Sequence, residues 1–161
     1  MFCLSNLERG GSMKTILAIS DSHGARNEVL KVINEKHDYL FFMGDGLRDI
    51  EDLTEPNIKK VAGNCDVFFN YEPDVETLTI EDVRVLITHG HRYKVKYSLA
   101  LIEKEARERG VNLVCFGHTH APLVQVAHGI TYVNPGSLKD GRYAIITVDG
   151  NKIVATLKRL D

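Results

Sequence analysis

His118 and His120 stand one residue apart at the end of an apolar run, Val114-Cys115-Phe116-Gly117. Two imidazoles side by side at a strand end could hold a metal ion; the competing reading is a pair of surface histidines in a turn. In an extended segment alternate side chains share a side, so the two rings would point together. Gly117 would let the chain leave the sheet sharply, because glycine tolerates positive φ. The same punctuation recurs. Asp21-Ser22-His23-Gly24 follows an apolar run over 15–20, and Gly44-Asp45-Gly46 follows one over 39–43. Gly63-Asn64-Cys65-Asp66 follows 58–62, and His89-Gly90-His91 follows 83–88. Taken singly, Asp21 reads as a helix cap, and Asp45 and Asn64 read as turn residues. Of the 7 histidines, however, only His37 and His128 lie outside these corners. In open α/β folds, sites form beyond the carboxyl ends of the strands. One convergent site accounts for all five corners, and five unrelated turns do not.

The elements that would position these corners follow from periodicity. The run over 15–20 is apolar almost throughout, as in a central strand buried on both faces. A helix is predicted over 25–36 with Val29, Leu30, Val32 and Ile33 on its apolar face. Strands over 39–43 and 58–62 flank a short helix over 47–53, which Pro56 would end. This alternation predicts parallel strands. Residues 75–80 and 83–88 read as a hairpin around Glu81-Asp82. A helix is expected over 97–109, with Leu99, Leu101, Ile102 and Ala106 inward and Gly110 just past its end. Strands follow over 111–116, 123–126, 130–133, 143–148 and 153–157. Asn134-Pro135-Gly136-Ser137 is read as a structural turn. The stretch 72–82 and the C-terminal strands are expected to form a second sheet.

Asp21-x-His23, Gly44-Asp45, Gly63-Asn64-x-Asp66, His89 and Gly117-His118-x-His120, in that order, resemble the signature of the calcineurin-like metallophosphoesterase superfamily. Spacing and size look most like its compact prokaryotic phosphodiesterase branch, which also resembles the retromer scaffold subunit. The resemblance spans Lys14 to about Gly136. It implies an α/β fold in which a two-sheet β-sandwich is flanked by helices, a four-layer α/β/β/α arrangement. It also implies two divalent transition metal ions. Asp21, His23 and His120 resemble ligands of the first, Asn64, His89 and His118 resemble ligands of the second, and Asp45 resembles the carboxylate shared between them. Mixed imidazole and carboxylate donors suit Mn foremost, or Ni, Zn, Fe or Co, over Ca or Mg. The implied reaction is phosphodiester hydrolysis by in-line attack of a metal-bridging hydroxide. Phosphomonoesterase or nucleotidase activity, and a non-catalytic interaction scaffold, are the alternatives.

One position departs from the pattern. The superfamily commonly has a histidine after the asparagine, often taken as the acid that protonates the leaving group; here it is Cys65. A thiol is a poor acid at its ordinary pKa of about 8.5. The expectation is a preference for good leaving groups, or another donor, for which His91 is the nearest candidate; otherwise His91 is a supporting or surface histidine. Asp66 reads equally as a residue orienting the asparagine loop and as a turn carboxylate.

The 161 residues include 43% hydrophobic and 26% charged residues, an ordinary globular balance with room for one core. A net charge of -2 gives no ground for an obligate nucleic-acid or membrane partner, so the expected partner is a small phosphoester, with self-association left open. No apolar stretch reaches bilayer-spanning length. Cys3, Cys65 and Cys115 form no CxxC pair, the pattern of a reduced, cytoplasmic protein. Residues 1–12 show no period and are expected to be an N-terminal extension outside a single domain over 13–161. Met13 is expected to be the initiator, with Glu8-Arg9-Gly10-Gly11 a translated ribosome-binding stretch.

Overall fold

Among the described residues, ten strands form two five-stranded sheets packed face to face. The computed structural model describes residues 13–69 and 71–161, so the expected N-terminal extension lies outside the described residues. The first sheet contains β1 (Lys14–Ile19), β2 (Tyr39–Phe42), β3 (Ile58–Lys60), β9 (Arg142–Asp149) and β10 (Lys152–Arg159), in the order β10-β9-β1-β2-β3. The second contains β4 (Val75–Ile80), β5 (Val83–Thr88), β6 (Leu113–Cys115), β7 (Leu123–Ala127) and β8 (Ile130–Asn134), in the order β4-β5-β6-β8-β7. As the alternation of elements predicts, β1, β2 and β3 pair in parallel. So do β5, β6 and β8.

The layers follow from which residues each strand turns inward. Ile16, Ala18, Phe41 and Met43 meet Val85, Ile87, Leu113 and Cys115 between the sheets. The alternate residues Leu17, Ile19, Leu40 and Phe42 pack under α1 (Arg26–Val32) and α2 (Leu47–Ile50). Leu86, Val114 and Tyr132 pack under α3 (Ala100–Arg109). Burial on both faces explains the near-continuous apolar runs of β1, β2 and β6. The result is the expected four-layer α/β/β/α sandwich. No helix among the described residues is long and apolar enough to cross a membrane.

Several expectations need correction. The last strands β9 and β10 do not join the second sheet; β9 returns antiparallel to β1 and β10 to β9. Helix α1 stops at Val32 because the Asn34 and Glu35 amides reach back only three residues, to the Lys31 and Val32 carbonyls, in a tightening last turn. Helix α2 ends at Ile50 and α3 begins only at Ala100. Leu30 and Leu101 are exposed; Val29 with Val32, and Ile102 with Ala106, carry the buried faces. Gly110 does end α3 in the left-handed region, at φ 64°.

Candidate metal centre

The carboxyl ends of β1, β2, β5 and β6, and the loop after β3, gather at one end of the sandwich. The first sheet supplies Asp21, His23, Asp45 and Asn64, and the second supplies His89, His118 and His120. Cross-sheet hydrogen bonds hold the two together there. The His118 amide donates to Asp21 Oδ2 at 3.1 Å. His89 Nδ1 lies 2.6 Å from the Met43 carbonyl.

Asp21 is fully buried. Its Oδ2 accepts from the Ser20 hydroxyl and the His118 amide. Its Oδ1 is buried and makes no hydrogen bond among the described residues. That oxygen faces His120 Nε2 at 3.1 Å and His23 Nε2 at 3.6 Å. The two imidazole nitrogens are 3.3 Å apart. A buried carboxylate oxygen without a hydrogen bond is costly, and a cation among these three groups would satisfy it. The residues therefore fit a metal ion, and donor atoms of Asp21, His23 and His120 all lie within 4.8 Å of one another.

Asp45, His89 and His118 form a second such group, also within 4.8 Å. Asn64 Oδ1 is 3.0 Å from His89 Nε2, and His118 Nδ1 is 3.2 Å from it. Because His89 Nδ1–H donates to the Met43 carbonyl, the lone pair of Nε2 is turned toward this group, as a ligating histidine requires. Asp45 Oδ2 is 3.2 Å from His89 Nε2 and 3.8 Å from His23 Nε2, so one oxygen faces both groups. Its Oδ1 accepts the Cys65 amide at 2.8 Å.

The charge states agree with this geometry. Burial opposes ionising Asp45, but His89, the Cys65 amide and His23 hold its carboxyl well below the usual carboxylate range. Burial likewise opposes a charge on His89, but Asp45 and Asp21 raise its pKa overall. Without a cation, the ring is drawn to take up a proton beside the two carboxylates. Burial, His89 and Lys96 push His118 down to about 4, leaving a neutral imidazole suited to ligation.

Backbone strain is concentrated in the same residues. Asp21, His23, Asp45, His118 and His120 all have positive φ, between 42° and 69°. Such non-glycine conformations cost on the order of 1–3 kcal/mol each and persist only where the surroundings enforce them. This overturns the extended reading of His-x-His. With φ of 69° at His118 and 62° at His120, the rings part: His118 joins His89, and His120 joins Asp21 and His23. Nor does Gly117 supply a positive φ. A Cβ there would lie 2.1 Å from Ser20 Oγ and 2.5 Å from Asp21 Oδ2, so its role is close approach.

Asp66 proves to be a brace. Its Oδ2 accepts the amides of Asp45 (2.7 Å) and Gly63 (2.8 Å), and its Oδ1 those of Gly46 (2.9 Å) and Leu47 (3.1 Å). Other braces escaped the sequence reading. Asp49 Oδ2 accepts the Ser22 hydroxyl and the Gly24 amide, fixing the His23 turn. Asn134 Nδ2 donates to the Gly117 carbonyl and Thr119 Oγ1, and the Ser137 hydroxyl donates to the Asp21 carbonyl. The turn at 134–137 thus positions both histidine-bearing and aspartate-bearing corners. Its signal was present, for Asn134 ends a strand beside Pro-Gly just as the ligand corners end theirs.

Cys65 is exposed, and its sulfur lies within 4.8 Å of donor atoms of His23 and Asp45. Burial of its sulfur and the neighbouring carboxylates of Asp45 and Asp66 raise its pKa, so the thiol keeps its proton. His91 packs its ring 5.3 Å from that of His89 and 6.1 Å from that of His118. Its Nδ1 is buried without a hydrogen-bond partner among the described residues. Burial, His89 and Arg92 lower its pKa and keep the ring neutral near pH 7.

A double sheet whose strand ends bring four histidines, two aspartates and an asparagine to one point defines a metal-site sandwich of the phosphoesterase class. Residues 13–151 match the calcineurin-like phosphoesterase superfamily domain, and the chain belongs to that family. It is 32% identical over 156 residues to the probable metallophosphoesterase YsnB of Bacillus subtilis, covering 91% of this chain and 90% of that protein. Phosphodiesterase YfcE of Escherichia coli is 26% identical over 154 residues, covering 78% of this chain and 80% of its own. The structure of vacuolar protein sorting 29 from Cryptosporidium parvum superposes with a TM-score of 0.78 at 20% identity, covering 92% of each chain, and shares the fold.

Proposed function

We propose that this chain is a phosphodiesterase that works with two divalent transition metal ions, manganese foremost. Asp21, His23 and His120 would hold one ion, Asn64, His89 and His118 the other, and Asp45 would be shared. The single observation that carries the reading is Asp45 Oδ2 standing between His89 Nε2 and His23 Nε2, beside the unpartnered Oδ1 of Asp21. A bound pair of such ions supplies Lewis-acid charge and lowers the pKa of water toward neutrality.

The chain's own contribution is positioning and charge balance. Two carboxylates, Asp21 and Asp45, against two dications leave the site net positive, which favours an anionic phosphoester. The tied oxygens, Asp21 Oδ2 and Asp45 Oδ1, keep their partners in register while the free ones face the centre. Cys65 holds its proton tightly and gives it up poorly, and a neutral His91 has no second proton to spare. Both features favour substrates whose leaving group needs little protonation, such as aryl diesters.

The test uses metal-stripped protein reloaded with Mn, Ni or Zn, acting on bis(p-nitrophenyl) phosphate and on p-nitrophenyl phosphate. The diester should be cleaved faster, and Asp45→Ala should lose more than the roughly 10–100-fold that a supporting partner of a metal ligand is worth. Faster monoester cleavage would identify a phosphomonoesterase. Rates at the buffer blank with every metal would leave a non-catalytic scaffold.

A further inference from the structure

The loops that carry Asp45 and Asn64 run on into the lining of a cleft of roughly 200 Å³ beside the candidate centre. His23, Asp45 and Cys65 form its floor toward the centre, and Arg48, Val67 and Phe68 line it further out. Arg48 is the second residue of α2, three positions beyond Asp45, and is exposed. It makes no hydrogen bond or ion pair among the described residues. The carboxylates that line the cleft are engaged elsewhere. Asp66 accepts four backbone amides, Asp49 Oδ2 accepts Ser22 and Gly24, and Asp45 faces the centre. The Arg48 guanidinium therefore lines the cleft without an ion pair among the described residues.

Val67 and Phe68 are 69% and 79% exposed. The backbone imposes this. Amides of Asp66, Phe69 and Glu72 donate to the carbonyls of Gly63, Asp66 and Phe69, winding the segment into successive turns. Phe69 is the residue these turns send into the core, against Leu47 and Ile50. Phe68 is left as an aromatic face at the lip of the cleft. The braces that fix the Asn64 corner therefore also fix Phe68 relative to it.

We infer that this cleft is a substrate subsite for an ester substituent that combines an aromatic ring with a second anionic group, the chemistry of a nucleotide bearing an extra phosphate. The ring lies against Phe68 and Val67, and the anion pairs with Arg48. A planar guanidinium matches phosphate geometry with two parallel hydrogen bonds, and aromatic faces stack any base. The volume is below the roughly 300–1,000 Å³ of pockets for drug-sized ligands, so the subsite takes one ring and its charge rather than a polymer. This inference rests on the phosphodiesterase reading of the adjoining centre.

Three p-nitrophenyl diesters separate the parts: methyl p-nitrophenyl phosphate, the p-nitrophenyl ester of thymidine 5′-phosphate, and the same ester carrying a 3′-phosphate. With manganese-loaded wild type, KM should fall about tenfold on adding the nucleoside and about tenfold again on adding the 3′-phosphate, with kcat nearly constant. Arg48→Ala should erase the second step, and Arg48→Lys should restore part of it. Phe68→Ala should erase the first. A flat KM across the series would overturn the subsite while leaving the phosphodiesterase reading intact. If no diester is cleaved with any metal, that reading fails instead. Calorimetric titration with thymidine 3′,5′-bisphosphate then decides the subsite without turnover: about tenfold weaker binding to Arg48→Ala supports it, and equal affinities overturn it. Unchanged thermal midpoints verify that the variants fold.

Discussion

Asp21 and Asp66 are both buried carboxylates, yet they use their oxygens differently. Asp21 ties down one oxygen and leaves the other bare toward His120 and His23. Asp66 spends both on backbone amides from the Asp45 and Asn64 corners and has none left for a cation. The bare oxygen marks a candidate ligand and the saturated one a brace. Asp66→Asn tests the distinction. The amide keeps the shape but replaces an acceptor oxygen with an N–H2 group facing donors. Hydrogen bonds to a charged acceptor are worth about 1.5–3 kcal/mol, and leaving their donors unmet costs a similar amount. The variant should lose about 2–3 kcal/mol in urea denaturation and bind Mn about 10–100-fold more weakly by calorimetry. Wild-type metal affinity in this variant would show that the two corners hold their geometry without it. The candidate ligands were legible in the sequence because each belongs to a glycine-marked corner that follows an apolar run. The braces were less so: Asn134 shares the strand-end signal without showing what it holds, and Asp49 has none, because Ser22 lies 27 positions from Asp49 and Gly117 lies 17 from Asn134, and no local pattern links such pairs.

At the scale of elements, the alternation of apolar runs gave the parallel strands and the hairpin correctly, while the four layers came from the family resemblance. The alternation failed where tertiary pairing decides. Nothing local distinguishes β9 and β10 from second-sheet strands; the choice is made by β1, whose free edge offers Thr15, Leu17 and their neighbours to an antiparallel partner. The helix ends failed for a related reason, since the apolar residues predicted for the helices run past the backbone ladder, whose last i→i−4 bond in α1 is Ile33 to Val29 and whose first in α3 is Glu103 to Leu99. The His-x-His geometry failed because the extended backbone of β6 ends at Cys115 and the next turn enforces left-handed conformations. Gly117 is the hinge of that outcome. It lets the end of β6 approach the end of β1 closely enough for the His118 amide to reach Asp21 Oδ2. In Gly117→Ala the added methyl would meet Ser20 Oγ at 2.1 Å, so the two strand ends must separate. Overpacking of this kind costs about 1–3 kcal/mol. The expected outcome is a folded protein with near-native far-ultraviolet circular dichroism and manganese affinity reduced by at least about tenfold, the lower bound for displacing a supporting shell. Unchanged affinity would mean that the close approach serves packing alone.

At the scale of the molecule, the candidate centre lies on the seam between two sheets. The middle of that seam is apolar, through Ile16, Phe41, Ile87, Leu113 and their neighbours. At the strand ends charged and polar side chains from both sheets converge, with Asp21 and Asp45 from one and His89, His118 and His120 from the other. Five of the residues there hold strained left-handed backbone, and a buried carboxylate oxygen has no hydrogen bond among the described residues. Cations bound at that end would join the sheets and offset both costs, and the unfolded chain cannot assemble donors drawn from five separate corners. Binding free energy therefore becomes folding free energy. At a free manganese concentration one hundred times the dissociation constant, a single site adds about 2.7 kcal/mol. For a domain of this size, each kcal/mol raises the thermal midpoint by roughly 2–4 °C. Calorimetric scans should therefore show the midpoint falling by about 5–11 °C when a chelator strips the metal, and recovering on reloading. His120→Ala and His118→Ala, one from each group, should each shrink that difference while changing the metal-free midpoint little. A midpoint indifferent to chelator and metal would mean that the convergence of corners is held by the braces alone and draws nothing from cations.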